Sequence, residues 1–481
     1  MIEDFPEHLR PYTDKEIPAA MQRIAAHKYF PQVAEIIFPG ITPEQAITKV
    51  LSVKTVCQFQ MEWMYAFNQR VIQTTLESFT YHISPLIKPG TGYLYISNHR
   101  DIILDSSLLQ MVLVFNNLPT SMITYGDNLL VNQLAEDIAR SNKMFKVVRQ
   151  GNKRELFKNS LLLSEFMRSC VRHGDSCWIA QRNGRTKDGL DKTSKALVKM
   201  MAMSGNRNDP VENYAALNIV PVSISYEYEP CDYLKTRELL LGAHGKIYKK
   251  EEGEDLNSML TGIIQWKGKV HIHLGDPLTR DDLEPYCNED FNSFTASLSE
   301  LIDKRIYKGY KCFPSNYIAY DLLQGEVAGG GGTASDTVQI IAGSSAFSTA
   351  SETPHGTAQD TSSGIAGSSV QGITCSSVHG IDSSSARGTA QDTARGFAHS
   401  ITLGEHYSVQ EKAAFLKRLK KITDPSLILS QKSIEGLPRI DFNKLTAEEY
   451  AKARQIFLNI YANPVCSARE SPRFCAIQPI S

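Results

Sequence analysis

No stretch of this chain approaches the roughly 20 uninterrupted apolar residues that a membrane-spanning helix requires, so any encounter with a membrane is expected from one face. An excess of charge of either sign is missing too: 51 Lys and Arg stand against 52 Asp and Glu, a formal net charge of −1. That balance removes the global electrostatic case for a nucleic-acid partner. The nine cysteines are scattered and form no CxxC pair, so neither a disulfide framework nor a zinc site is expected, and the thiols read as reduced and cytosolic. Met1–Arg10 is acidic and polar without an apolar core, so no secretory signal is expected. GxSxG is absent and no cysteine or serine sits in a nucleophile context, so no covalent intermediate on the protein is expected.

What is present suffices for one main domain with appendages: 481 residues can bury a substantial core. Residues 1–88 read as an N-terminal helical region. Thr42-Pro43-Glu44-Gln45 opens a long segment with a threonine cap, proline in the first turn and glutamine three residues on. Val50, Val53, Val56, Phe59, Trp63 and Phe67 then fall at spacings of three and four, one apolar stripe suited to domain packing. Residues 89–324 change to alternating strands and helices, with candidate strands at Tyr93–Ile96, Phe145–Val148, Cys177–Ala180, Ile219–Tyr226 and Lys269–Leu274. That order predicts an α/β fold whose ligands sit at strand ends. Residues 325–405 are rich in Gly, Ser, Ala and Thr, with GTAQDT at Gly356–Thr361 and again at Gly388–Thr393; the composition predicts a disordered insertion. Residues 406–481 return to helix, behind capping boxes at Ser408 and Thr446. The basic run Leu416-Lys417-Arg418-Leu419-Lys420-Lys421 reads as a solvated helix face.

The chemistry concentrates in Ser97-Asn98-His99-Arg100-Asp101-Ile102-Ile103-Leu104-Asp105, which follows the apolar run Tyr93–Ile96. A strand that ends in a turn presents a histidine, with Asp101 and Asp105 within six residues of it. An imidazole held by a carboxylate is a general base able to take a proton from an alcohol, which points to acyl or group transfer to a hydroxyl. Taken alone, His99 also suits a core histidine or a metal ligand. Arg149 ends one candidate strand, and Arg182, Arg185 and Lys187 bracket Gly184 after another. Guanidinium groups match phosphate or carboxylate bidentately, and glycine lets backbone approach a ligand closely. Together these cations predict an anion-holding site beside a base.

Four segments, in order, resemble the glycerolipid acyltransferases, the family of glycerol-3-phosphate and lysophosphatidate acyltransferases. Asn98-His99 with Asp105 is similar to that family's histidine-x4-aspartate motif. Phe145-Lys146-Val147-Val148-Arg149 resembles its strand-plus-arginine block. Trp178-Ile179-Ala180-Gln181-Arg182-Asn183-Gly184-Arg185-Thr186-Lys187 is similar to its strand followed by glutamate, glycine and arginine, and Ile219–Glu227 to its proline-bearing strand. Two departures stand out. Asp105 lies six residues after His99 where the family spacing is five, with Asp101 as the rival partner, and Asn183 stands where glutamate is expected. The resemblance implies a mixed sheet flanked by helices and transfer of a fatty acyl group, from acyl-CoA or acyl carrier protein, to glycerol-3-phosphate or a lysophospholipid-like acceptor. It implies His99 as base with Asp105 or Asp101 orienting it. Asn98, Arg100, Arg149, Arg182, Asn183, Gly184, Arg185 and Lys187 would then hold the substrate. No metal or bound cofactor is implied, and the expected setting is cytoplasmic, peripheral on the inner face of a membrane. A thioester hydrolase and a silent lipid-binding or scaffold protein remain the alternatives.

Overall fold

Two kinds of strand make the sheet, and their burial follows from their sequence. Ile219–Tyr226 and Leu94–Ser97 are apolar or small at nearly every position and buried along their whole length, as strands covered on both faces must be. Gly268–Leu274 alternates instead, with Val270, Ile272 and Leu274 buried and His271 and His273 only partly so. The computed structural model describes residues 2–129, 132–148, 151–242, 253–328, 406–423 and 445–469. Within them the strands are β1 (Leu76–Ile83), β2 (Leu94–Ser97), β3 (Met122–Gly126), β4 (Met144–Val147), β5 (Cys177–Ala180), β6 (Ile219–Tyr226) and β7 (Gly268–Leu274). They form a seven-stranded sheet in the order β1-β7-β6-β2-β5-β3-β4. β2 pairs parallel with β5 and β6, and β3 parallel with β4 and β5. β7 runs antiparallel to β6 and parallel to β1, which makes the sheet mixed.

Helices cover both faces. On one, Leu94, Ile96 and Ile179 pack against Phe166, Met167 and Cys170 of the helix Lys153–Arg172 and Leu298, Ile302 and Ile306 of the helix Phe291–Lys308. On the other, Tyr95, Trp178, Val220 and Val222 pack against Leu108, Leu109 and Val112 of the helix Leu104–Phe115 and Phe67 and Val71 of the helix Tyr65–Thr75. The chain leaves β2 toward β3 on one side and later crosses from β5 to β6 on the other, so the strand order reverses around β2. At such a switch point, ligand sites form outside the carboxyl ends of the strands.

The N-terminal region is helical at Ile17–Ala26, Phe30–Ile37, Pro43–Ser52 and Tyr65–Thr75, with the Thr42 capping box in place. Its expected apolar stripe is wholly buried: Val50, Val53, Val56, Phe59 and Trp63 pack with Ile17, Met21 and Phe30, while Phe67 joins the sheet core. Two strands went unread in the sequence. Leu76–Ile83 is not helix but the edge strand β1, whose Phe79, Tyr81 and Ile83 alternate with the more exposed Thr80 and His82. Met122–Gly126 is β3. Among the described residues, Cys170, Cys177, Cys231, Cys287, Cys312 and Cys466 are free thiols.

Apart from the end of the helix Pro314–Ala328, the expected insertion 325–405 lies outside the described residues. Beyond it, the helices Val409–Lys420 and Ala447–Ala468, each opened by its capping box, belong to the same compact unit as the sheet. Phe415, Leu419, Phe457 and Tyr461 bury against Leu240, Ile318 and Leu323. Among the described residues no helix is long and apolar enough to cross a membrane.

Candidate active site

At the carboxyl end of β2 the backbone is pinned from three sides. The Trp178 indole donates to Ser97 Oγ at 2.9 Å. Asn98 donates through Nδ2 to the Ile224 carbonyl at 2.9 Å and accepts from the Ile224 amide at 2.8 Å, clamping the turn to β6. The Thr186 amide donates to the His99 carbonyl at 2.7 Å, tying the same turn to the loop after β5. The His99 ring stands edge-on to Trp178, with centroids 6.0 Å apart. Its side chain keeps 13% of its surface exposed, whereas that of Asp105 is fully buried.

Asp105 lies in the first turn of the 104–115 helix, where the helix dipole favours a carboxylate. Its Oδ2 sits 2.9 Å from His99 Nδ1 and accepts the amides of Arg100 at 2.6 Å and Asp101 at 2.9 Å. Its Oδ1 accepts the Tyr226 hydroxyl at 2.9 Å. Four donors thus converge on the carboxylate, three on Oδ2 and one on Oδ1. With Nδ1–H committed to Asp105, neutral His99 is left with Nε2 as its acceptor nitrogen.

Asp101 does other work. Its Oδ1 accepts the amides of Ile103 at 2.9 Å and Leu104 at 2.8 Å, closing the start of the helix, while its buried Oδ2 has no hydrogen-bond partner. Gly262 backs onto that oxygen so closely that a Cβ there would stand 2.2 Å from it. The longer histidine-to-aspartate spacing is thus accommodated by a turn that Asp101 itself caps.

Several residues expected to hold an anion are occupied within the protein. Arg100 is buried and donates to Asp191 at 2.6 Å and Glu229 at 3.3 Å; Lys235, fully buried, bonds Glu229 at 2.6 Å and the Arg100 carbonyl at 2.7 Å. Lys187 is paired with Glu238. Asn98 is spent on the clamp to β6. Asn98, Arg100 and Lys187 thus each have a partner inside the protein. Arg182 is partly buried, its Nη1 bonded to the Leu190 carbonyl at 3.4 Å, and Asn183 is exposed at the loop tip beside Gly184, whose φ of +73° suits glycine. Arg149 lies outside the described residues. Arg185 differs from the rest. It is 92% buried, its Nη1 has no hydrogen-bond partner, and it lines a small, water-sized cleft with Arg237, Glu238, Asn257 and Ser258, where Asn257 Nδ2 is likewise unpartnered.

Tyr226, Trp178 and Thr186 lie inside segments to which the sequence assigns chemistry but carry no role of their own there, and Asp191 lies four residues beyond one of them. The signal for Tyr226 was a phenol closing an otherwise apolar, fully buried strand. Among the described residues no group of three or more His, Cys, Asp or Glu is placed to hold a metal ion.

Neither a family model nor a curated protein sequence matches the chain. Among solved structures, it is similar to the 1-acyl-sn-glycerophosphate (LPA) acyltransferase PlsC from Thermotoga maritima, at 14% identity and a TM-score of 0.30 over 60% of this chain and 94% of that one. A likeness that slight carries no argument about this chain.

Proposed function

We propose that the chain is an acyltransferase that moves a fatty acyl group from a thioester, on coenzyme A or acyl carrier protein, to a hydroxyl of an anionic acceptor of the glycerol-3-phosphate or lysophospholipid kind. One observation carries the reading: a partly exposed His99 ring whose Nδ1 is 2.9 Å from a buried Asp105 that three further donors hold in place. The order of the four sequence segments supports it. In the reaction, His99 Nε2 takes the hydroxyl proton while the oxygen attacks the thioester carbonyl. The carbon–sulfur bond then breaks, and the leaving thiolate takes the proton from the imidazolium. Asp105 holds the ring tautomer and stabilises the imidazolium, and a base so placed contributes about 10²–10⁴-fold. Arg185, with its uncommitted nitrogen, is the cation best suited to the acceptor's negative end. The protein would act at the inner face of a membrane without spanning it.

The internal pairing of Arg100 and Lys187 favours a second reading, a lipid-binding protein without turnover. Purified protein with labelled acyl-CoA or acyl carrier protein and a panel of acceptors separates the two. Acceptor-dependent thiol release, with the product lipid identified by mass, supports transfer. Thiol release without acceptor indicates a hydrolase, and binding with no thiol release indicates the silent protein.

A further inference from the structure

We propose that Tyr226 sets the basicity of His99 through Asp105, as a positioning residue that never touches substrate. This inference rests on the reading of His99 as the base.

Three donors fix one oxygen of Asp105: the His99 ring and the amides of Arg100 and Asp101 all meet Oδ2. Among the described residues, the Tyr226 hydroxyl is the donor that meets Oδ1, at 2.9 Å. The phenol is 4% exposed at the end of β6, out of reach of a substrate arriving from solvent. Burial, and then the negative charge of Asp105, keep it far above the ordinary tyrosine range, so it stays protonated and remains the donor. The charged groups around it are Asp105 and Asp101 of the turn and Glu229 beyond β6. Glu229 is held by Arg100 and Lys235.

A donor on Oδ1 draws negative charge away from Oδ2, and with it part of the attraction that favours a proton on His99. The strand thus limits how tightly the carboxylate holds the imidazolium. A base held too tightly in its protonated form is a poor proton acceptor near neutrality, since efficiency peaks when its pKa lies near the working pH.

The test is an NMR titration of the His99 ring in the full chain, with thermal melts run alongside. Tyr226→Phe keeps the ring and removes only the donor. The His99 pKa is expected to rise by about half a unit to one unit, with the acid limb of kcat/KM moving upward by the same amount. In an Asp105→Asn background the same substitution should add nothing further, because the path through the carboxylate is already cut. A His99 titration that coincides with wild type overturns the inference, even if activity falls, and so does an effect that persists beside Asp105→Asn. Should Tyr226→Phe fail to fold, 3-fluorotyrosine at position 226, a more acidic and stronger donor, is expected to lower the His99 pKa; no shift, or a rise, overturns the proposal. The titration needs no substrate. If no acceptor is acylated by the wild-type protein, the proposed function fails while the link between Tyr226 and His99 is still decided.

Discussion

His99 and its two neighbouring aspartates separate by what each side chain touches. His99→Ala should lower acyl transfer by about 10²–10⁴-fold with only a small drop in the thermal midpoint, because the ring lies at the site's surface and its packing includes one edge-on contact with Trp178; a radiolabelled transfer assay beside calorimetry checks both. Asp105→Asn replaces an acceptor that four donors converge on, so activity should drop by about 10²-fold or more. Asp101→Asn should be nearly silent in both assays, since asparagine caps a helix start as well as aspartate does and the ring does not depend on it. Equal losses from the two substitutions would refute this division of labour. The histidine and its candidate partners were legible in the sequence because turn residues flank an apolar strand. The fate of the cations was not: Arg100 and Lys187 find Asp191, Glu229 and Glu238, residues between about 50 and 130 positions away. Charge spacing along the chain says nothing about such pairings.

At the scale of elements, the outer pair β1–β7 carries a feature with a measurable pH signature. His82 and His273 are register partners with rings stacked 4.5 Å apart, and His271, two residues along the same face, lies 2.9 Å from Thr80. Burial, reinforced by Lys311 and the neighbouring histidines, pushes His271 down to about 4; burial and His82 bring His273 to about 4, with Lys308 adding to the effect against the opposing pull of Asp276. The folded state therefore prefers both rings neutral, while the unfolded chain takes protons near pH 6.5. Stability from this source is complete above about pH 6.5 and is lost as the pH falls toward 4, by about 2 kcal/mol per histidine at pH 5. Urea midpoints at pH 7 and pH 5 measure it, and His271→Asn with His273→Asn should flatten the difference; an unchanged difference rejects the assignment. This pair also shows where pattern reading stops. β6 and β5 were found to the residue because buried strands are written as apolar runs. The β1 segment reads as the continuation of a helix, since Leu76-Glu77-Ser78-Phe79 fits either period and only its pairing with β7 decides.

Across the whole molecule, the two helices that follow the 325–405 segment act as a strut for the site. Asp232, fully buried, accepts the Tyr461 hydroxyl at 2.6 Å and Arg418 Nε at 2.7 Å, and the Glu229 amide donates to Tyr461 at 3.1 Å. Asn463 bonds the Asp188 carbonyl at 2.7 Å, and Gly189 lies so close to the Ile460 carbonyl that a Cβ would stand 2.2 Å from it. Arg418→Met leaves a buried carboxylate without its counter-charge and should cost about 3–5 kcal/mol, read as a shift in the urea midpoint at constant slope. The arginine was predicted as part of a solvated basic face; its partner lies 186 residues earlier, beyond the reach of local pattern. Deleting 329–403, by contrast, should leave both the melt and the transfer rate within error, because a Gly/Ser/Ala/Thr-rich composition offers little apolar surface to a core; a lowered midpoint would count against that.

The packing of Gly189 against Ile460 also has a meaning in time. A ribosome delivers the sheet, the histidine and its carboxylate before it delivers the helix that braces their loop. Until that helix emerges, a nascent product would hold a finished sheet beside an unbraced loop, and competence would arrive with the Ala447–Ala468 helix.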